Sequence, residues 1–256
     1  NPSFRTQARI TNNIVTSVTD DALYMTSCGS VNVWNNTFAS IPATTSSANG
    51  AYIASHVSGT IDFRNNIFFT NSSSTTSYSF QTTVNTSMLR MDNNCFFSNA
   101  PNNLIRYGTA NYTFVNWQST NPYGYDVNSI NVNPMFVNMA TGDLHIQNAA
   151  LHATGDSTVP VAQDFDLEVR PSAGSTSTDI GADEIALVTN DAIAIGITNP
   201  ANAVCENATQ SVDVIVGNNG IANITSVNVT VNVTGPVSAT LTGNYTGSLT
   251  TGQNTS

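Results

Sequence analysis

Residues 61–68 read IDFRNNIF, and the same pattern recurs as ARITNNIV at 8–15, VNVWNNTF at 31–38 and LRMDNNCF at 89–96. In each copy, apolar side chains stand four and two positions before the Asn-Asn pair, and another follows three positions after its first Asn. This alternation indicates a short strand, a corner and a second short strand. Asn suits such a corner because it tolerates the left-handed backbone region and its amide can bond neighbouring backbone groups.

One copy alone buries too little apolar surface to be stable, so the repeat predicts copies stacked at a strand spacing of about 4.8 Å. Stacking would align two interior rows: Ile10, Val33, Phe63 and Met91, and Val15, Phe38, Phe68 and Phe96. The Asn residues would hydrogen-bond from copy to copy, which gives structural roles to Asn13, Asn36, Asn66 and Asn94. An antiparallel sandwich also alternates in this way. The recurrence of one corner dipeptide favours the stacked coil, because a sandwich would vary its turns.

Composition excludes several classes of protein. The 256 residues carry a net charge of −10, and all six basic residues are arginines. Such a chain repels phosphate backbones, which excludes nucleic acid as a partner. No apolar run of about 18 residues is present, so no membrane span is expected. The three cysteines form no CxxC pair and indicate neither a disulfide framework nor a metal site.

The abundance of Asn, Thr and Ser, together with the absence of Lys, indicates an extracellular or cell-surface location. The chain starts at Asn1 and not at Met, so we expect it to be a fragment of something longer. We expect it to be a monomer.

Two later segments resemble a known family. Residues 131–138 (NVNPMFVN) and 141–146 (TGDLHI) are similar to the terminal element of secreted right-handed parallel β-helix proteins, the pectate-lyase-like superfamily. Residues 164–171 (DFDLEVRP) and 179–184 (DIGADE) resemble the closing signature of that superfamily, although Leu167 stands where Gly is usual. The resemblance implies an all-β chain in which residues 1–186 form a right-handed parallel β-helix with a C-terminal cap.

The closing segment concentrates charge in an otherwise neutral stretch. Its charged residues are Asp164, Asp166, Arg170, Asp179, Asp183 and Glu184. A cation site, with Ca²⁺ as the ion, or an acid/base pair are two interpretations. A network of carboxylates around Arg170 that locks an end cap is the third, and it is favoured because a single Arg among carboxylates is what a pinned turn needs.

The pattern changes after residue 186. Residues 187–191 form a short linker, and strands of nearly strict period two follow at 192–195, 211–216 and 227–234. Residues 192–256 are therefore predicted to form an immunoglobulin-like β-sandwich that resembles the CARDB-type adhesion module. Its final strands are expected beyond Ser256.

Candidate catalytic residues are few. Asp62, Arg64, Arg90 and Asp92 alternate along two copies of the repeat, so they should share the outer face of adjoining strands. A polysaccharide lyase would use such carboxylates with Ca²⁺ and an Arg base. Cross-strand pairing of opposite charges on an exposed surface explains the same arrangement without a substrate. The histidines share no ligand spacing, so a zinc site is not indicated.

Two functions remain from the sequence. The first is a secreted or cell-surface β-helix protein that binds a polysaccharide or a cell-surface glycan, acts in adhesion, has no identifiable catalytic site and needs no cofactor. The second is a polysaccharide lyase or glycoside hydrolase acting on acidic polysaccharides, with part of its active site outside this chain. Fold alone does not decide between them.

Overall fold

The computed structural model describes residues 7–42, 47–99, 104–120, 124–200, 211–235 and 238–256. The chain divides into two compact units. The first unit runs to Gln147 and resumes over Leu151–Ile185, and the second comprises Asn148–Ala150 with Ala186–Ser256. Among the described residues, no helix is long and apolar enough to cross a membrane.

The first unit contains three sheets whose repeated strands pair in parallel. Successive strands go to the first, second and third sheet in turn. The first sheet contains β1 (Ala8–Thr11), β4 (Val31–Trp34), β7 (Ile61–Arg64) and β10 (Leu89–Asp92). The second contains β2 (Ile14–Ser17), β5 (Thr37–Ser40), β8 (Ile67–Thr70) and β11 (Cys95–Ser98). The antiparallel alternative for this half of the chain is therefore wrong.

The third sheet contains β3 (Leu23–Met25), β6 (Ala51–Ile53), β9 (Phe80–Thr82), β12 (Ile105–Tyr107) and β13 (Ala110–Tyr112). The last of these turns back and pairs antiparallel with β12. A helix, α1 (Phe114–Thr120), follows. Short 3-10 turns lie at Thr86–Met88, Met139–Thr141 and Ala149–Leu151.

The register of the first two sheets confirms both interior rows. Ile10 pairs with Val33, Val33 with Phe63 and Phe63 with Met91. The other row runs from Val15 through Phe38 and Phe68 to Phe96. Its phenyl rings stack, with centroids 5.9 Å apart for Phe38 and Phe68 and 5.5 Å for Phe68 and Phe96. Parallel in-register pairing places like side chains above one another, which gives the first unit its core.

The corner prediction also holds. The first Asn of each pair, at positions 12, 35, 65 and 93, has a φ between 51° and 59°. This is the left-handed region, which Asn enters at lower cost than other side chains that carry a Cβ. Each corner turns the chain from the first sheet to the second without a glycine.

The closing segment does not lie across the end of the stack, where the sequence predicted a cap. Gly181 donates its N–H to the carbonyl of Asn65 at 2.8 Å, and Ala182 donates to Thr37 Oγ1 at 3.1 Å. Gly181 has a φ of 111°, a backbone conformation that side chains with a Cβ rarely adopt, so glycine suits this approach to the second sheet. The segment therefore runs along the side of the repeats.

The end of the stack is covered by different residues. Ile130 pairs in parallel with Cys95, where a fifth copy of the repeat would follow. Trp117 of α1 is buried in the same core cluster as the phenyl rings. A helix and an irregular strand thus close an edge that would otherwise be open for pairing.

The second unit is antiparallel. One sheet contains β14 (Ala192–Asn199), β15 (Asp213–Asn218) and β18 (Asn254–Thr255), and a long hairpin contains β16 (Ile224–Val233) and β17 (Ala239–Leu249). Its core is small, consisting of Val216, Ile224 and Leu249 with partly buried neighbours. A groove of about 590 Å³ lies between valines of β15 and the hairpin.

Candidate functional site

A ladder of side-chain amides runs through the corners of the first unit. Asn13 Nδ2 donates to Asn36 Oδ1 at 2.9 Å, Asn36 Nδ2 to Asn66 Oδ1 at 3.0 Å, and Asn66 Nδ2 to Asn94 Oδ1 at 3.1 Å. Each acceptor oxygen also receives the backbone N–H of the preceding Asn. All bonds point the same way, so they polarise one another and fix the strands on either side.

The ladder ends on a carboxylate that the sequence did not reveal. Asp126 Oδ1 accepts from Asn94 Nδ2 at 3.3 Å and from Ser129 Oγ at 2.6 Å, and its Oδ2 accepts from Trp117 Nε1 at 2.8 Å. Burial raises the pKa of Asp126 to about 6, against these three donors. The repeat pattern does not identify Asp126, because this residue follows Asn94 by 32 positions and is not an Asn.

In three of the four pairs the first Asn has a different role from the second. Asn65 Nδ2 donates to the Asp156 carbonyl at 3.0 Å, and Asn93 Nδ2 donates to the Thr154 carbonyl at 2.9 Å. Asn12 likewise donates to the carbonyl of Gln163. These outward amides hold residues 154–163 along the side of the stack and bring Asp156 to the first sheet.

The four candidate catalytic residues lie in the first sheet in the predicted register. Asp62 stands opposite Arg90, and Arg64 stands opposite Asp92. The expectation that Asp62 is exposed is wrong, since only 5% of its surface is accessible. Arg64 covers it, donating from Nε to Oδ1 at 3.0 Å and from Nη2 to Oδ2 at 2.8 Å.

The predicted cross-strand ion pairs are also wrong. Arg64 instead pairs along its own strand with Asp62 and across to Asp156, at 3.0 Å from Nη1. Asp92 accepts hydrogen bonds from the backbone and side chain of Asn128, both at 2.8 Å. Arg90 is exposed and has no ion pair with any described residue.

Trp34 lies beside these residues on β4, between β1 and β7. The guanidinium carbons of Arg9 and Arg64 stand 5.7 Å and 5.3 Å from its ring centroid, which is cation–π distance. The indole is 5% exposed, and its buried Nε1 has no hydrogen-bond partner among the described residues. A buried donor without an acceptor costs free energy that a bound acceptor would recover.

A groove of about 450 Å³ opens over this part of the sheet. We call it the Trp34 groove, and its lining residues are Gln7, Ser30, Asn32, Trp34, Gly59, Thr60, Asp62, Arg64 and Arg90. Arg9 joins it through its contact with Trp34. Three of the six arginines of an acidic chain therefore meet on one sheet face. Hydroxyl, amide and guanidinium groups there can bind a polar, acidic ligand.

The electrostatics around Arg64 argue against this residue as the base of a lyase reaction. The carboxylates of Asp62 and Asp156 raise the pKa of Arg64 and outweigh the opposing effect of its partial burial. A general base must be deprotonated at the working pH in order to accept a proton. A guanidinium with a raised pKa is therefore unsuited to that role. Because the guanidinium of Arg64 already donates to Asp62 and Asp156, an anion in the groove would be bound by Arg9 and Arg90.

Four of the charged residues of the closing segment, Asp164, Arg170, Asp179 and Glu184, form a buried network. Arg170 Nη1 donates to Glu184 Oε1 at 2.7 Å, and its Nη2 donates to the Gly181 carbonyl at 2.9 Å. Asp164 accepts the N–H of Glu184 at 3.0 Å, and Asp179 accepts the N–H groups of Ala153 and Ile185 at 2.6 Å.

Two of these groups have shifted pKa values. Burial and the neighbouring charge of Glu184 raise the pKa of Asp179 to about 6, and burial lowers the pKa of Arg170. Asp164, Arg170, Asp179 and Glu184 form hydrogen bonds with one another and with backbone groups. They therefore hold the turns of this segment together.

Neither a protein-family profile, nor a curated protein, nor a solved structure matches the chain.

Proposed function

We propose that the first unit is a right-handed parallel β-helix. Three sheets receive successive strands in rotation, and each repeat returns parallel to the one before it. Connections between parallel strands are right-handed in about 98% of cases, which supports the hand. The segments 164–171 and 179–184, which resemble the pectate-lyase-like closing signature, run along this stack and support the same assignment.

The Trp34 groove is the proposed binding site of this unit, and its ligand is an acidic carbohydrate. The observation that carries the proposal is the buried Trp34 Nε1 without an acceptor, beside Arg9 and Arg90, which are exposed and have no ion pair with any described residue. A sugar carboxylate can accept from the indole N–H while a guanidinium binds it with two parallel hydrogen bonds. Asn32 and Thr60, which also line the groove, supply partners for sugar hydroxyls.

The function we propose is carbohydrate binding in adhesion, without catalysis at the Trp34 groove. The raised pKa of Arg64 argues against this residue as a lyase base. The second unit, with its antiparallel sheets, is proposed to be an immunoglobulin-like module of the CARDB type. We place the protein outside the cell or at the cell surface, where a glycan partner would be met, and the binding needs no cofactor.

The test uses the full chain on immobilised polygalacturonate, alginate and a neutral glucan. We expect retention on the two acidic polymers, a loss of retention as the salt concentration rises, and no absorbance from unsaturated products. Arg90→Gln removes an exposed charge from the Trp34 groove, and Trp34→Phe removes the indole donor. Arg106→Gln, on the third sheet, is the matched control.

The site is supported if Arg90→Gln and Trp34→Phe reduce retention while Arg106→Gln leaves it unchanged. Equal retention of all variants on the acidic polymers would exclude the Trp34 groove. Product formation that Arg90→Gln abolishes would replace the binding proposal with a lyase.

A further inference from the structure

A second cluster of chemically active side chains lies away from the Trp34 groove. His145 stands between two carboxylates, with Nδ1 2.6 Å from Asp143 Oδ1 and Nε2 2.7 Å from Asp166 Oδ2. Asp183 lies on a third chain segment. One ligand atom each from His145, Asp166 and Asp183 falls within 4.8 Å of the others.

The Asp183 side chain shows that this is more than a surface group of acids. It is only 7% exposed, and its Oδ2 accepts the N–H of Ile146 at 2.8 Å. Its other oxygen has no hydrogen bond with any described residue. That oxygen is not among the fully buried polar atoms, so it is open to a cation, which would favour the charge of a carboxylate largely removed from water. The Asp183 carboxylate lies close to the ligand atoms of His145 and Asp166.

Asp143 supplies the remaining element of a metal site. By accepting from Nδ1, it holds the imidazole so that Nε2 faces the carboxylates of Asp166 and Asp183. Metal-binding histidines use this arrangement, in which a carboxylate behind the ring fixes its orientation. A cavity of about 390 Å³ is lined by Asp143, His145 and Phe165.

We propose that His145 Nε2, Asp166 and Asp183 bind a divalent transition-metal ion such as Zn²⁺. The ion takes the place of the proton on Nε2, and that proton passes to solvent. Ligand bonds of about 2.0 to 2.2 Å require the nitrogen and oxygen to stand roughly 3 Å apart or slightly more, so Asp166 must retreat by a few tenths of an ångström. Asp166 is exposed and can make this movement.

The donor set decides the class of ion. Imidazole nitrogen with carboxylate oxygens suits zinc and its neighbours, whereas Ca²⁺ takes six to eight oxygen ligands. The ion would join the segment around residue 145, the turn at 166 and the bend at 183, so it should stabilise the folded first unit as any ligand of the native state does.

The experiment is a calorimetric titration of the full chain with ZnCl₂, and separately with CaCl₂, followed by thermal melting with each ion. We expect one strongly bound Zn²⁺ per chain, weaker binding of Ca²⁺, and a melting temperature that rises with the Zn²⁺ concentration. Asp166→Asn is the main variant because the residue is exposed and the change is nearly isosteric. Asp166→Asn and His145→Gln should abolish binding, and Asp143→Asn should weaken it about 10-fold to 100-fold.

Two controls separate this site from others. Asp213→Asn removes an exposed carboxylate from the second unit, and Cys28→Ser removes a free thiol. Both variants should bind Zn²⁺ as the parent does. No Zn²⁺ binding by the parent chain, binding that Asp166→Asn and His145→Gln leave unchanged, or tighter binding of Ca²⁺ than of Zn²⁺ would each overturn the proposal.

Discussion

Replacing Asn66 with Ala should remove the central rung of the amide ladder. Its Oδ1 accepts from the N–H and the Nδ2 of Asn36 at 3.1 and 3.0 Å. Its Nδ2 donates to the carbonyls of Val33 and Arg64 and to Asn94 Oδ1, at 2.7, 3.1 and 3.1 Å. The residue is fully buried, so water cannot replace these partners in the folded state.

The magnitude follows from these contacts. Nδ2 has two hydrogens, so its three contacts count as two donated bonds beside the two accepted ones. At about 1 kcal/mol net for each bond their loss sums to about 4 kcal/mol, and the orphaned N–H of Asn36 alone costs about 1 to 3 kcal/mol. We therefore expect Asn66→Ala to lower the free energy of unfolding by about 3 to 5 kcal/mol. Asn13→Ala is the matched control, because Asn13 is exposed and donates only to Thr11 and Asn36. It should cost about 1 kcal/mol or less.

Urea unfolding followed by tryptophan fluorescence measures the difference. The chain has two tryptophans, Trp34 and Trp117, and both lie in the first unit, so the signal does not include the second unit. The midpoint and slope of each transition give the free energy of unfolding. If Asn66→Ala costs no more than Asn13→Ala, the ladder does not stabilise the stack and our reasoning is refuted.

Three further outcomes are expected. Phe68→Ala, which empties a fully buried position in the phenyl stack, should cost about 3 to 5 kcal/mol in the same urea assay, and an unchanged midpoint would contradict the interior row. Glu184→Gln leaves buried Arg170 without its counter-charge and should cost about 3 to 5 kcal/mol, whereas a neutral result would show that the ion pair is dispensable. Because burial raises the pKa of Asp126 from its ordinary 3.8 to about 6, its contribution to stability is present below about pH 4 and lost as pH rises to 6. The stability advantage of the parent over Asp126→Asn, followed by urea unfolding at several pH values, should fall by about 3 kcal/mol over that range, and a constant difference would show that Asp126 does not titrate there.

The sequence predicts the first two sheets because four copies of one pattern describe the same environment. Each copy places its apolar side chains inside and its Asn pair at the corner, and the register follows from aligning the copies. The third sheet has no such signal. Its strands are three residues long, and β6 and β9 follow loops of unequal length, so alternation has too few positions to be recognised.

The candidate site was predicted in part. Period-two alternation placed Asp62, Arg64, Arg90 and Asp92 on one face, and the register confirms it. The partner of Arg64 could not be predicted, because Asp156 reaches the first sheet only through a segment that returns along the corners. Trp34 was visible as a strand residue, yet nothing in the sequence indicated that its donor lacks an acceptor.

The Asn-Asn pair shows why a repeated motif can still conceal two roles. Both residues have the same side chain, and the pattern describes them only as a corner. In three of the four pairs the first Asn, in the left-handed conformation, directs its amide to the carbonyls of residues 154, 156 and 163. The second directs its amide along the stack. The inner ladder depends only on copies of the motif, whereas the outer bonds depend on a segment that occurs once. Replacement of the two residues should therefore affect different parts of the molecule.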